Sequence, residues 1–144
     1  MKKYTSFKII IWAILLSAGI SSCTKSGTTK RDLMLGKWKL QTVAIDSNSD
    51  NIIETNEIRD TSLYPNYFAN FNTNGSGFYN YNSANPYPFS WALSNHDSIL
   101  MITDSLYIST ESWFIDSVST STLNIYFRDT ASRKVWNIYK RPWW

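Results

Sequence analysis

The chain has 144 residues, 43% hydrophobic and 16% aromatic, with a single cysteine. That length suits one domain, and one cysteine excludes an internal disulfide or a thiolate-rich metal site. The formal charge of +3 comes from 14 basic and 11 acidic residues. Three of the basic residues, Lys2, Lys3 and Lys8, sit at the amino terminus, and the rest of the chain carries 11 of each sign, which argues against a nucleic-acid-binding face.

Those lysines precede an apolar run, Ile9 to Ile20. A basic start and a short apolar core before small residues predict a signal peptide over residues 1–22. The run is shorter than the ~20 apolar residues that span a bilayer. The stretch Ile20-Ser21-Ser22-Cys23 resembles the lipobox of bacterial lipoproteins. The resemblance implies cleavage before Cys23, acylation of that residue and a stable membrane anchor through its acyl chains. A buried free thiol and an ordinary signal peptide cut nearby are the alternatives. Residues 23–30 read as a polar tether, Thr24 to Lys30 being "TKSGTTK". Surface lipoproteins of Bacteroidota tend to carry acidic residues just after the cysteine, and this tether has none. The expectation is therefore an outer-membrane lipoprotein facing the periplasm.

Residues 31–144 form the expected domain. Arg31 to Leu35 predicts one helical turn, stopped by Gly36. After it, aromatic and β-branched residues alternate with polar ones in short runs, which predicts strands at 37–45, 66–72, 77–82, 87–94, 98–103, 111–118, 121–128 and 133–141. Trp38, Leu40, Thr42 and Ala44 are expected on one face of the first strand. Phe89, Trp91 and Leu93 share a face of the fourth, and Leu123, Ile125 and Phe127 a face of the seventh. Asn74-Gly75 suits a tight hairpin turn with positive φ, and the other breaks are short and polar. Short links imply antiparallel neighbours. Eight such strands predict an all-β, up-and-down barrel with a short N-terminal helical turn, since closure removes exposed edges. An eight-stranded barrel has an interior that side chains fill or that holds one small ligand.

The first two strands are joined by a long connection, Asp46 to Pro65. Counted from Asp46, oxygen-bearing residues fall at the first, third, fifth, ninth and twelfth positions: Asp46, Asn48, Asp50, Glu54 and Glu57. With the Ile52 carbonyl at the seventh, this is the ligand spacing of an EF-hand-type loop, and Ca²⁺ is the expected ion. Asn51 stands where such loops have glycine, and asparagine is among the residues that visit the left-handed region most readily. The competing reading is a solvated loop whose Asn and Asp serve only as turn formers.

Two stretches resemble a known family. "LMLGKWKLQTV" (Leu33 to Val43) is similar to the start of lipocalin-type barrels, where a Gly-x-Trp follows a short helix that closes one end; Gly36 and Trp38 fall on that motif. "FANFNTNGSG" (Phe68 to Gly77) resembles the second strand and turn of lipocalin-like lipoprotein domains of Bacteroidota. The resemblance implies a binding role, with Trp38 plugging the closed end and an arginine, Arg141 or Arg128, packed on it.

No catalytic set is legible. His96 is the lone histidine and falls in a turn, and "GSG" (Gly75 to Gly77) lacks the context of a nucleophile elbow. The chain is expected to be a monomeric binding protein rather than an enzyme, without nucleic-acid partners. The expected ligand is small, apolar or planar, held by Phe89, Trp91, Trp113, Tyr79 and Tyr81. The other reading is a filled barrel whose loops grip an envelope protein or polysaccharide.

Overall fold

In the computed structural model, residues 27–61, 65–80 and 85–143 are described. The expected signal peptide, Cys23, Tyr64, Tyr81 and Trp144 lie outside them. The first element is α1, Lys30–Met34. Its turn is fixed by a reciprocal cap. The Asp32 backbone N–H donates to Thr29 Oγ1 at 3.1 Å, and the Thr29 backbone N–H donates to Asp32 Oδ2 at 3.0 Å. The Thr29 hydroxyl also donates to Asp32 Oδ2, at 2.7 Å. These hydrogen bonds, the hydroxyl's first, hold the Asp32 carboxyl below the ordinary aspartate range.

Nine strands follow among the described residues: β1 (Gly36–Ile45), β2 (Ile58–Arg59), β3 (Phe68–Phe71), β4 (Ser76–Asn80), β5 (Tyr87–Ser94), β6 (Ile99–Asp104), β7 (Thr110–Val118), β8 (Thr122–Arg128) and β9 (Lys134–Lys140). From β3 to β9 each strand pairs antiparallel with the next, and β1 pairs with both β3 and β9. The result is a closed eight-stranded up-and-down barrel, as the alternation predicts. The short β2 is additional. It pairs Val43 with Arg59 and Ala44 with Ile58, widening the wall where β3 has left β1.

Two local expectations are corrected. The register of β1 shifts between Leu40 and Thr42 against β9. One extra residue there inverts the parity of the strand beyond it. Trp38 and Leu40 belong to the interior, whereas Val43, not Thr42 or Ala44, packs against the core further along. Ala44 is buried on the opposite face, beside Trp136 and Ile58. In the β3–β4 turn Gly75 takes the positive φ, 80°, and Asn74 does not. The turn is closed by Gly75 N–H on the Asn72 carbonyl and Asn72 N–H on the Ser76 carbonyl. This is the longer, glycine-bulged hairpin rather than the two-residue type.

Gly36 lies opposite Phe71, so the start of β1 and the end of β3 share one pole, and α1 crosses it. Arg31 Nη2 donates to the Thr73 carbonyl at 3.3 Å, and Lys30 Nζ to the Asp97 carbonyl at 3.2 Å. These bonds tie the helix to two turns at that pole. Trp38 is fully buried beneath it, and its Nε1–H donates to the Met34 carbonyl at 2.7 Å. Of the two arginines expected to pack there, Arg141 does so. Its guanidinium lies 4.3 Å from the Trp38 ring centre. Its Nη2 donates to the carbonyls of Leu33 at 2.9 Å and Leu35 at 2.8 Å. Arg128 is at the far end of the sheet, where its Nη1 donates to the Ser132 carbonyl. Met34, Phe71, Trp91, Leu100 and Leu123 fill the barrel behind Trp38. Burying each such side chain contributes ~1.5–3 kcal/mol.

Candidate functional site

The expected calcium loop sits at the opposite pole. It folds against β9 through Asp46 N–H, which donates to the Lys134 carbonyl at 3.0 Å. A 3-10 turn, Thr55–Glu57, brings Glu57 back under it. Glu57 is 2% exposed; its Oε1 accepts the Ser47 N–H at 2.5 Å and its Oε2 the Glu54 N–H at 3.3 Å. Asp46 is buried to the same degree, and its Oδ2 accepts the Asn51 N–H at 3.1 Å. Asn51 adopts the left-handed conformation expected of it, with φ of 67°. Asp50 Oδ1 accepts the Ile52 N–H at 2.8 Å, and Asn48 Oδ1 accepts the Asp50 N–H at 3.1 Å.

The loop's carboxylates are thus turned on its own backbone amides. Among the described residues no three of His, Cys, Asp and Glu gather into a group able to hold a metal ion. Asp46, Asn48, Asp50, Ile52, Glu54 and Glu57 are not brought together around one point. One oxygen of this loop stands apart: Asp46 Oδ1 is buried and has no hydrogen-bond partner among the described residues.

The aromatic residues divide between floor and wall. Trp91 is 4% exposed, and its Nε1–H is shared between the carbonyls of Ser76 at 3.0 Å and Asn72 at 3.2 Å. It clamps the β3–β4 hairpin and carries Arg31 4.6 Å above its ring. Phe89 is also buried, 5.5 Å from Phe71 and 4.5 Å from Tyr79 between ring centres. A Cβ on Gly77 would overlap the Phe89 ring and approach the Asn70 carbonyl oxygen to 2.6 Å, so the ring lies directly on bare backbone. Of the expected ligand contacts, Phe89 and Trp91 therefore belong to the packed core. Tyr79 and Trp113 reach an open pocket, and Tyr81 lies outside the described residues.

That pocket has a volume of about 380 Å³ and occupies the mouth opposite α1. Its position follows from strand direction. The pole under α1 holds the end of β3 and the start of β4, so Tyr67, just ahead of β3, and Tyr79, late in β4, both come to the mouth. Their rings stack, centres 5.9 Å apart with 25° between planes. Tyr87 opens β5 beside them, and Ile102 from β6 is buried beneath. On β7, Glu111 and Trp113 project inward with buried Ile115, two residues apart each time. Trp113 Nε1–H donates to Glu111 Oε2 at 3.0 Å, and its ring packs 4.8 Å from Phe127.

The β6–β7 turn finishes the rim. Asp104 Oδ1 accepts N–H groups of Leu106 at 2.6 Å and Tyr107 at 3.0 Å. The turn so formed presents Leu106, Tyr107 and Ile108 at 59%, 79% and 85% exposure, and Ile108 holds a φ of 53°. Tyr107 and Ser109 both line the pocket. A positive φ is unfavourable for a β-branched residue. Asp104 and Glu111 were not expected in the site. Parity is the signal that finds them, since Asp104 is two residues past buried Ile102, and Glu111 two before Trp113. His96 is exposed in the β5–β6 turn at the closed pole, as its sequence context suggests.

No protein-family model matches the chain, and no curated protein is similar enough to match. A solved structure of a lipocalin-like protein from Bacteroides uniformis is similar over 76% of this chain and 99% of that one, with a TM-score of 0.50 and 16% identity. Identity at that level speaks for architecture. The closed barrel, its helical stopper and the packing of Arg141 on Trp38 give this chain a lipocalin-like fold.

Proposed function

We propose that the protein is a lipid-anchored binding protein of the bacterial cell envelope, which holds a small planar molecule in the open mouth of its barrel. The observation that carries the binding role is the pocket lined by Tyr67, Tyr79, Tyr87, Tyr107 and Trp113. Its volume falls in the range of small-molecule sites, and aromatic walls suit a flat ligand. The anchor rests on Ile20-Ser21-Ser22-Cys23 and the preceding apolar run. Anchoring at Cys23 would attach the barrel seven residues before α1, at the closed pole. The mouth would then face away from the bilayer and exchange its ligand with the aqueous compartment. The role is binding, not catalysis.

Native mass spectrometry of the protein purified from its own host tests the reading. A retained small molecule that Trp113→Ala releases is the expected result. A protein that carries nothing, and whose Trp113 responds to no planar ligand, would defeat it. The anchor is tested separately: Cys23→Ser should abolish acylation and membrane partitioning, and a processed variant that still partitions would refute the lipoprotein reading.

A further inference from the structure

We infer that the ligand taken by this mouth carries a positive charge, as an ammonium or a comparable organic cation joined to a flat body. The inference rests on the binding role proposed above and gives that site a substrate class. The walls are aromatic, and the charged residues lining them are both acidic, Asp104 and Glu111. Among the described residues no lysine or arginine lines the pocket. Arg128 borders Glu111 only in an adjoining recess, and its Nη1 is directed to its own turn by the Ser132 carbonyl at 2.8 Å.

Position brings the two carboxylates to bear on one space. Ile102 is the register partner of Glu111, and Asp104 N–H bonds the Ser109 carbonyl. Asp104 and Glu111 are therefore diagonal neighbours on adjacent strands, ~7–8 Å apart at Cα. Two carboxylates placed so near each other on one wall can act together on a single organic cation. Each carboxylate is already held in place: Asp104 by the amides of Leu106 and Tyr107, Glu111 by the Trp113 indole. A carboxylate has more acceptor positions than these bonds use. The π faces of Tyr and Trp attract cations as well as flat rings, so the same walls serve both halves of the ligand. A neutral apolar ligand would gain nothing from the acids and would have to desolvate them.

Phenyltrimethylammonium and its uncharged isostere tert-butylbenzene are the probes, titrated into the mature domain. Calorimetry gives affinity, and the indole ¹H–¹⁵N signal of Trp113 reports place. The cation should bind at least tenfold tighter, a difference of about 1.4 kcal/mol. Asp104→Asn and Glu111→Gln together should bring the two probes to parity. Both substitutions keep an oxygen to accept the existing N–H bonds, so they remove charge without dismantling the turn or the indole contact. Equal or tighter binding of the neutral probe overturns the charge inference and leaves the pocket reading standing. So does a cation preference that survives the double substitution, or a neutral monosaccharide that outcompetes the cation. Silence from every probe at Trp113 overturns the pocket reading itself.

Discussion

Trp38 is where apolar burial, a hydrogen bond and a cation meet on one side chain. Its ring is fully enclosed, its indole N–H is satisfied by Met34, and Arg141 lies on its face while bonding the carbonyls at the end of α1. Removing the ring leaves a cavity, an unpartnered carbonyl and a guanidinium with nothing beneath it. Trp38→Ala should lose ~3–5 kcal/mol in urea unfolding, as for other large buried aromatics. A double-mutant cycle with Arg141→Ala should show coupling of ~0.5–2 kcal/mol. Additive losses would mean that the stacking contributes nothing beyond area. The tryptophan's place was legible through the resemblance of Gly36 and Trp38 to the start of lipocalin-type barrels, a motif short enough to be met in local sequence. Its partner was not uniquely legible, because Arg128 and Arg141 both lie near the last strand. Only the direction of β9 decides which one meets the pole.

At the scale of the element, the contrast between β5 and β1 shows what alternation can and cannot reveal. β5 runs from Tyr87 to Ser94 with its expected inward face intact, since a regular strand keeps parity from end to end. β1 reads as equally regular, yet the irregularity at Leu40/Thr42 inverts its second half. Nothing in "LQTV" distinguishes a bulge from a straight strand, because each of its residues tolerates either face. The loop after β1 makes a related point. Its carboxylate spacing suggests an ion, but spacing cannot say whether an oxygen faces a cation or an amide. In the structure Glu57 receives Ser47 and Glu54 N–H groups on its two oxygens. Glu57→Gln leaves one acceptor oxygen for two amides and should therefore cost ~1–3 kcal/mol even in chelator. A cost seen only when calcium is present would show instead that the ion, rather than the amides, holds this segment.

For the molecule as a whole, the count and order of the eight barrel strands were legible because short polar breaks separate the runs and force neighbours to be antiparallel, whereas β2, inside the long connection, was not. The pocket was only half legible. Periodicity tells which side chains point inward and not how high along the barrel they stand. Phe89 and Trp91 share a face with Tyr87, yet they are floor and clamp while Tyr87 is wall. The barrel's seam has a further consequence, for synthesis. It joins β1, complete by Ile45, to β9, which begins at Lys134. Until β9 is available, β1 presents a bare edge, and that closing contact carries a large loop-closure cost. A chain ending before Lys134 should consequently self-associate along β1, visible as oligomers in sedimentation velocity; a well-behaved monomer would show that the edge is protected some other way. A ribosome making this protein thus carries an unfinished sheet with an adhesive border from the completion of β1 until β9 has emerged, and β9 is the strand that makes it safe.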